Sequence, residues 1–189
     1  MTTAFDAPTT AIDDIAGDYT LDASHTRVGF VARHAMVTKV RGHFSQLEGT
    51  AHIDTAAPAG SKVDLTIDVA SVDTGNPDRN GHLTSPDFFD AEKFPTITFT
   101  STQVERDGDT WNVTGDLTIK DVTKPVTIEF EQTGSAIDPF GNTRVGFEGE
   151  ITVNRKDWGL AWNAALETGG VLVSDKIKLE FDVSAIRNA

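Results

Sequence analysis

The feature that most constrains this chain is an alternation of apolar and polar residues that recurs along most of its 189 residues. Successive side chains of a strand point to opposite faces of a sheet, so a period of two predicts strands with one apolar face. Strands of this kind are typical of antiparallel sheets that have one face in solvent. The sets predicted to share the inward face are Val28, Phe30, Ala32 and His34; Val63, Leu65, Ile67 and Val69; Trp111, Val113, Gly115, Leu117 and Ile119; Val126, Ile128 and Phe130; Val145, Phe147, Gly149, Ile151 and Val153; Ile177, Leu179, Phe181 and Val183.

Turn signals and glycines favour a closed barrel over two packed sheets. Turns are predicted at residues 107–109, 124–125 and 138–142, where Gly, Pro, Asp or Asn interrupt the alternation. Glycines inside strands weaken them unless a bulge or a barrel corner requires one. The chain has such glycines at Gly29, Gly42, Gly49, Gly115, Gly146 and Gly149.

Two irregular stretches, residues 78–94 and 157–170, break the alternation. Ser85 and Pro86 provide the cap and the first position of a helix, so one or two short helical turns are expected in the first stretch. The prediction is an all-β fold, an antiparallel barrel with one or two short helices. Residues 1–17 are small, polar and aperiodic and predict a disordered N-terminal tail, followed by one barrel domain over residues 18–189.

Charge and composition argue against several classes of function. Acidic residues outnumber basic ones 29 to 16, which gives a net charge of -13. A nucleic-acid binder needs a basic surface, and a protein of this net charge has no general attraction to anionic membranes. The sequence contains no run of about 18 apolar residues, so it predicts no membrane-spanning helix. The first residues lack the basic and apolar regions of a secretory signal, so the expected location is the cytoplasm.

No motif in the sequence predicts catalysis or a cofactor. The absence of cysteine excludes disulfides, thiolate metal sites and cysteine nucleophiles. No nucleophile-elbow, dinucleotide-binding or phosphate-loop motif occurs, and the five histidines lack the spacing of a zinc site. We therefore predict that the protein is not an enzyme and binds no metal. The alternatives that stay open are a metal-dependent or histidine-dependent enzyme using His34, His43 and His82, and a structural or partner-binding barrel with a filled core.

Four segments resemble the YceI-like family of lipid-binding proteins: residues 19–34, 71–99, 115–126 and 146–159. The most specific is the second, which contains Arg79-Asn80-Gly-His82-Leu83 and Ser85-Pro-Asp-Phe88-Phe89-Asp90. The resemblance implies an extended, lipocalin-like barrel of about eight strands with an elongated channel. It implies a polyisoprenoid or isoprenoid quinone as ligand, for transport or storage. Family members often form dimers, so a homodimer stays open, and relatives are often periplasmic.

The apolar inward faces and the aromatic residues of the irregular stretches define the candidate ligand-binding residues. A channel of this kind removes the cost of exposing each methylene to water, about 0.8 kcal/mol. Arg79 and Arg155, with His34 and His82, are candidates for holding a polar head group, although both arginines could instead pair with Asp73, Asp87 or Asp157. The aromatics off the strands could plug the barrel or line a portal. The predicted lipid-binding residues are Val28, Phe30, His34, Phe44, Leu65, Ile67, His82, Phe88, Phe89, Phe99, Leu117, Ile119, Ile151, Trp158, Leu160, Trp162 and Phe181.

Overall fold

The computed structural model describes residues 14–189 and is dominated by antiparallel strands, as the alternation predicts. Within these residues there is one α-helix, α1 (Pro77–Thr84), and none that is long and apolar enough to cross a membrane. Short 3₁₀ turns occupy Ala23–His25, Pro58–Gly60, Val69–Ser71 and Arg155–Trp158. The strands are β1 (Gly17–Leu21), β2 (Arg27–His34), β3 (Thr38–Phe44), β4 (Leu47–Ile53), β5 (Lys62–Asp68), β6 (Val72–Asp73), β7 (Thr96–Asp107), β8 (Thr110–Ile119), β9 (Val122–Ile137), β10 (Thr143–Asn154) and β11 (Lys176–Arg187).

The sheet closes into an eight-stranded barrel because β1 pairs with both β4 and β11. Three pairs of short strands each act as one bent strand. For example, β11 pairs with β1 near its C-terminus, at Tyr19 and Arg187, and with β2 further back, at Val28 and Phe181. In the same way β3 continues into β4, and β5 continues into β6. The β3–β4 strand pairs on one side with β2 and β1 and on the other side with β6 and β5. The expected barrel of about eight antiparallel strands is therefore confirmed.

The two ends of the barrel differ in construction. One end, called the helix end here, carries α1, the β2–β3 and β8–β9 turns and the segment 155–175 between β10 and β11. The opposite end, called the far end, carries the β4–β5, β7–β8 and β9–β10 connections. Its core is tightly packed: Tyr19, Val104, Trp111 and Val145 are all buried.

Three inward glycines lie beneath phenylalanine rings of a neighbouring strand: Gly42 beneath Phe30, Gly115 beneath Phe99 and Gly149 beneath Phe130. A Cβ on Gly115 would lie 2.5 Å from the Phe99 ring and 2.6 Å from the carbonyl oxygen of Thr100. The glycine therefore allows the ring to lie flat against the wall instead of projecting across the barrel. Strand glycines are predicted from the sequence to mark bulges or bends. That reason applies at Gly115 and Gly146, because the strand register shifts next to each of them.

The helix begins nine residues earlier than predicted, at Pro77 instead of Pro86. Asn76 caps it, with its side chain accepting from the backbone N–H groups of Asp78 and Arg79, and Pro77 is its first residue. Ser85 instead lies at the C-terminal end, where its N–H and hydroxyl donate to the carbonyl oxygen of His82. Both sites offer a polar cap followed by proline, so capping chemistry alone did not distinguish them.

The turn predicted at Lys124 and Pro125 is wrong, because both residues lie inside β9. The chain turns at Lys120 and Asp121, whose φ angles of 53° and 58° are those of a tight hairpin. Proline is tolerated in β9 because this part of the strand pairs only with β8, and pairing with β10 starts at Glu129.

Ordered packing begins before residue 18, where the barrel was predicted to start. Residues 1–13 of the predicted tail lie outside the described residues. Ile15 is buried, and its carbonyl oxygen accepts a 2.8 Å hydrogen bond from the hydroxyl of Tyr19. β1 begins at Gly17.

Candidate functional site

The interior of the barrel contains a cavity of about 590 Å³, a volume typical of sites for small organic ligands. Alternate side chains of the long strands form its wall. On β8 the wall extends from Trp111 to Ile119, and on β11 from Ile177 to Ala185. Eight residue steps along a strand correspond to about 26 Å. The cavity is therefore elongated and follows the barrel from the helix end towards the far end.

The wall is apolar but not packed against itself. Phe30, Leu65, Leu179 and Phe181 line the cavity and are only partly buried. A filled core would bury side chains of this size almost completely, because protein interiors are close-packed. The partial exposure of inward apolar side chains therefore argues against the filled-core alternative.

Nearly all of the apolar residues predicted for the site lie on the cavity wall. Ile151 is the exception: it packs against the core but does not line the cavity, and Val153 of the same strand lines it instead. The predicted residues on the wall are Val28, Phe30, His34, Phe44, Leu65, Ile67, His82, Phe88, Phe89, Phe99, Leu117, Ile119, Trp158, Leu160, Trp162 and Phe181.

Two groups of wall residues were missed as site residues. The first continues the alternation on strands already identified and could have been found from it, as with Val63, Val113, Val126, Ile128 and Leu179. The second comes from irregular segments that have no period. Within that group, Leu172 and Val173 reach the wall only because residues 171–173 run beside the end of β2, where His34 bridges to Val173.

An aromatic cluster narrows the cavity at the helix end. His82 of α1 lies edge-on to Phe88 and to Trp162, with ring centroids 5.0 and 4.6 Å apart, and Phe88 and Trp162 are 5.4 Å apart. The cluster joins both irregular stretches, and the Nε2 of His82 lies 2.9 Å from Asp87 Oδ2. Phe88 is buried whereas Trp162 is partly exposed, so the indole lies at the boundary between the cavity and solvent.

Two further aromatics fix the wall near this cluster. Trp158 is buried, and its indole N–H donates a 3.0 Å hydrogen bond to the carbonyl oxygen of Leu117 on β8. Phe89 packs edge-on against Phe44, with centroids 5.9 Å apart. The aromatics off the strands therefore both narrow the helix end and line the cavity.

Arg155 holds the segment 159–175 in place. It is 5% exposed, and burial lowers the pKa of its guanidinium from the usual value. Its Nε donates to Ser174, its Nη1 to Leu160 and Trp162 and its Nη2 to Val173, in each case to the carbonyl oxygen. Its charged neighbour is Asp175, at 3.8 Å, and not the predicted Asp73, Asp87 or Asp157. With its donors used in this way, Arg155 is a structural residue rather than a head-group ligand.

Arg79 also has a different partner from the predicted aspartates. Its Nε donates to the hydroxyl of Thr74 and its Nη2 to the carbonyl oxygen of the same residue, both at 2.8 Å. These bonds tie the start of α1 to the loop after β6. The side chain remains partly exposed and lines the cavity.

A smaller polar pocket adjoins the cavity at the helix end. It is about 430 Å³ and is lined by His34, Thr38, Lys39, Val40, Arg41, Thr74 and Arg79. It shares three of these residues, His34, Val40 and Arg79, with the apolar cavity. Among residues 14–189, β3 pairs with β6 only at His43 and Phe44, and no strand of this part of the chain pairs with the edge of β3 beside this pocket. The pocket therefore lies at an opening between β3 and α1.

The structure does not bring the three histidines of the metal alternative together. His43 alternates with the inward residues Gly42 and Phe44 and faces outward, His34 is exposed at the end of β2, and His82 lies in the aromatic cluster. Among residues 14–189 no group of three or more His, Cys, Asp or Glu side chains could hold a metal ion.

Comparison with known proteins identifies relatives along nearly the whole barrel. The sequence profile of the YceI-like domain matches residues 19–185. Protein YceI of Escherichia coli O17:K52:H18 is 43% identical over 148 residues, which cover 77% of this chain and 78% of that protein. Among solved structures, Burkholderia cenocepacia BcnA is similar with a TM-score of 0.76 and 27% identity, over 87% of this chain and 98% of BcnA. A polyisoprenoid binding domain from Saccharophagus degradans is similar with a TM-score of 0.68 and 20% identity, over 90% of this chain and 98% of that domain.

Proposed function

This chain belongs to the YceI-like domain family, and from that premise we propose that it binds a long-chain apolar amphiphile inside its barrel. The ligand is a polyisoprenoid or an isoprenoid quinone, and the protein transports or stores it without chemically changing it. The observation that carries this proposal is the elongated cavity of about 590 Å³ with its apolar wall. The neighbouring structure from Saccharophagus degradans is described as polyisoprenoid binding, although at 20% identity the similarity concerns the fold alone.

The shape and chemistry of the cavity favour a slim, long ligand over a compact one. Its wall follows β8 and β11 for about 26 Å, and an eight-stranded barrel has an interior only wide enough for side chains or one small ligand. Each methylene transferred from water to such a wall contributes about 0.8 kcal/mol, so a long isoprenoid tail accumulates affinity along its length.

The polar end of the ligand is expected near the helix end. Polar groups on the cavity wall there include His34, His82 and Arg79, of which Arg79 keeps one terminal nitrogen free of the bonds to Thr74. At the far end Tyr19 and Trp111 are buried, which argues against an opening to solvent beside them. An amphiphile therefore enters tail first from the helix end and leaves its head group beside α1.

The direct test is organic extraction of the purified protein followed by mass spectrometry, together with titration of delipidated protein with a dansyl-labelled polyprenol. A tightly held long-chain amphiphile and saturable probe binding are expected. Absence of both would reject the proposal and leave a barrel whose cavity has another use.

A variant that fills the cavity sharpens this test. Ala32 lines the cavity on β2, so Ala32→Trp places an indole inside it and should abolish probe binding. Val31, the next residue along the strand, lies on the outer face in register with Lys178 and Arg41. Val31→Trp is the matched control and should bind the probe as the wild type does. Equal binding by both variants would contradict the proposed site.

A further inference from the structure

The helix end carries an exposed apolar tip that the barrel itself does not need. Met36 and Val37, in the turn between β2 and β3, are 61% and 76% exposed. Val171 of the neighbouring segment is also exposed, and Met36 lies against Gly170, where an added Cβ would be 3.7 Å from its Cγ. Single exposed apolar residues are common on soluble proteins, but an adjacent group marks a contact surface. These residues, Met36, Val37 and Val171, are called the apolar tip.

The backbone holds this tip in an unfavourable conformation. Ala35 and Met36 have φ angles of 52° and 64°, in the left-handed region that two-residue hairpin turns reserve for Asn and Gly. The amide of Ala35 donates to the carbonyl oxygen of Leu172, which ties the turn to the segment beside it. Strained backbone of this kind is found preferentially at binding and other functional positions, so a long apolar side chain here points to a contact role.

Basic side chains lie on β2 and β3 close to the apolar tip although the protein as a whole is acidic. Arg33, Lys39 and Arg41 are exposed, and within residues 14–189 none of them forms an ion pair. The acids at this end are Asp78 of α1, Asp121 of the β8–β9 turn and Asp157, Glu167 and Asp175 of the segment 155–175, of which Asp175 pairs with Lys156. Residues 27–44, which comprise the turn and both of its strands, contain four basic residues and no acidic one, so in a protein with a net charge of -13 the positive charge is local to this hairpin.

We propose that the apolar tip and its basic neighbours dock the helix end of the barrel onto an anionic lipid bilayer. Apolar side chains that enter the interface and basic ones that remain at the head groups are the combination such binding uses. A two-fold dimer formed through this surface would bring the same positive charges face to face, so the charge favours an anionic bilayer over a second copy of this chain docked in that way. The surface adjoins the cavity, since His34, Leu172 and Val173 lie on the cavity wall. Docking there would let an apolar ligand pass between bilayer and cavity without crossing water.

The proposal is tested by flotation of the full chain with phosphatidylcholine vesicles, with and without phosphatidylglycerol. Binding to the anionic vesicles is expected, and it should weaken in high salt because the basic side chains are exposed to solvent. The double variant Met36→Asp and Val37→Asp should lose binding. Phe140, at the far end, is 88% exposed and provides the matched control: Phe140→Asp should bind as the wild type does.

A charge variant separates electrostatic docking from apolar adhesion. Arg41→Glu should weaken binding to anionic vesicles at least about tenfold, since each basic residue near such a surface contributes about a fivefold change. Lys62→Glu, at the start of β5 at the far end, changes the net charge equally and should have little effect. Equal binding by the tip variants and the wild type would overturn the proposal. The proposal would also be overturned if the wild type does not bind vesicles but forms a dimer that the tip substitutions disrupt.

The experiments distinguish a failure of membrane docking from a failure of the proposed ligand binding. Vesicle binding is measured without any cargo, whereas the function is measured by extraction and probe titration. Vesicle binding by a protein that yields no lipid would keep the docking surface and reject the proposed ligand.

Discussion

At the scale of single residues, Arg155 shows how a charged side chain can be buried without a dedicated carboxylate partner. Four carbonyl oxygens of the segment 159–175 accept its hydrogen bonds, and the nearest carboxylate oxygen, of Asp175, is 3.8 Å away. Hydrogen bonds to a charged group stabilise more than neutral ones, about 1.5–3 kcal/mol each. One residue therefore positions Leu160, Trp162 and Val173 on the cavity wall.

Replacing this guanidinium should loosen the helix end of the barrel. We expect Arg155→Gln to lower the free energy of unfolding by about 3 kcal/mol, because the buried carbonyl oxygens lose their donor. The neighbouring Lys156 is exposed and forms an ion pair with Asp175 at 3.2 Å, so Lys156→Gln should change stability by less than about 1 kcal/mol. Urea unfolding of both variants checks this, and amide exchange over residues 159–175 should rise only in Arg155→Gln. Similar losses in the two variants would refute the role assigned to Arg155.

At the scale of elements, the far end is held by one arginine that joins two connections. Arg144 of β10 donates from Nη1 to Asp22, in the connection between β1 and β2, and from Nε to Asp138, in the β9–β10 turn, at 2.8 and 2.7 Å. This guanidinium keeps the pKa of both carboxyl groups well below the usual range. Asp138 also accepts from the backbone N–H groups of Phe140 and Asn142, so the pairing fixes the shape of the turn.

The pKa shifts give this link a defined dependence on pH. A carboxyl group whose pKa is lowered in the folded state contributes stability above its unfolded pKa, near 3.8, and loses it as the pH falls towards the folded value. We expect Arg144→Gln to unfold at a lower urea concentration than the wild type at pH 7, with the difference shrinking at pH 3. Arg106 of β7 bonds the carbonyl oxygen of Gly108 and stacks on Trp111, so Arg106→Gln is the control whose difference should change little. A difference for Arg144→Gln that is constant with pH would exclude this linkage.

Elements also show what could be predicted from the sequence and what could not. Alternation determines which face of a strand is apolar, so the positions of Phe30, Leu65 and Phe181 followed from the sequence alone. The start of α1 did not, because Asn76-Pro77 and Ser85-Pro86 offer the same local capping chemistry and only tertiary packing selects between them. The sequence could not predict which residues of the segment 159–175 line the cavity, because Arg155 positions them through hydrogen bonds that leave no periodic pattern.

At the scale of the whole molecule, the cavity poses an energetic problem that a ligand would solve. An apolar wall with no ligand against it lacks the van der Waals contacts of a packed core, and lost contacts of this kind lower the free energy of unfolding. The rings of Phe99 and Phe130 lie flat over Gly115 and Gly149, so they leave this volume open instead of filling it. An occupied barrel should therefore be distinctly more stable than an empty one.

Thermal unfolding measures this difference directly. At a free ligand concentration of 100 times Kd, binding to the folded state alone adds about 2.7 kcal/mol, which for a chain of this size raises Tm by about 5–10 °C. We expect delipidated protein to show this rise when the dansyl-labelled polyprenol is added, and to match the Tm of protein purified with its lipid. Ala32→Trp should show no rise, because its indole occupies the cavity, whereas Val31→Trp should respond as the wild type does. If saturating probe leaves the Tm of the delipidated wild type unchanged, the probe does not bind in the cavity. Any ligand held there must stabilise the fold that encloses it.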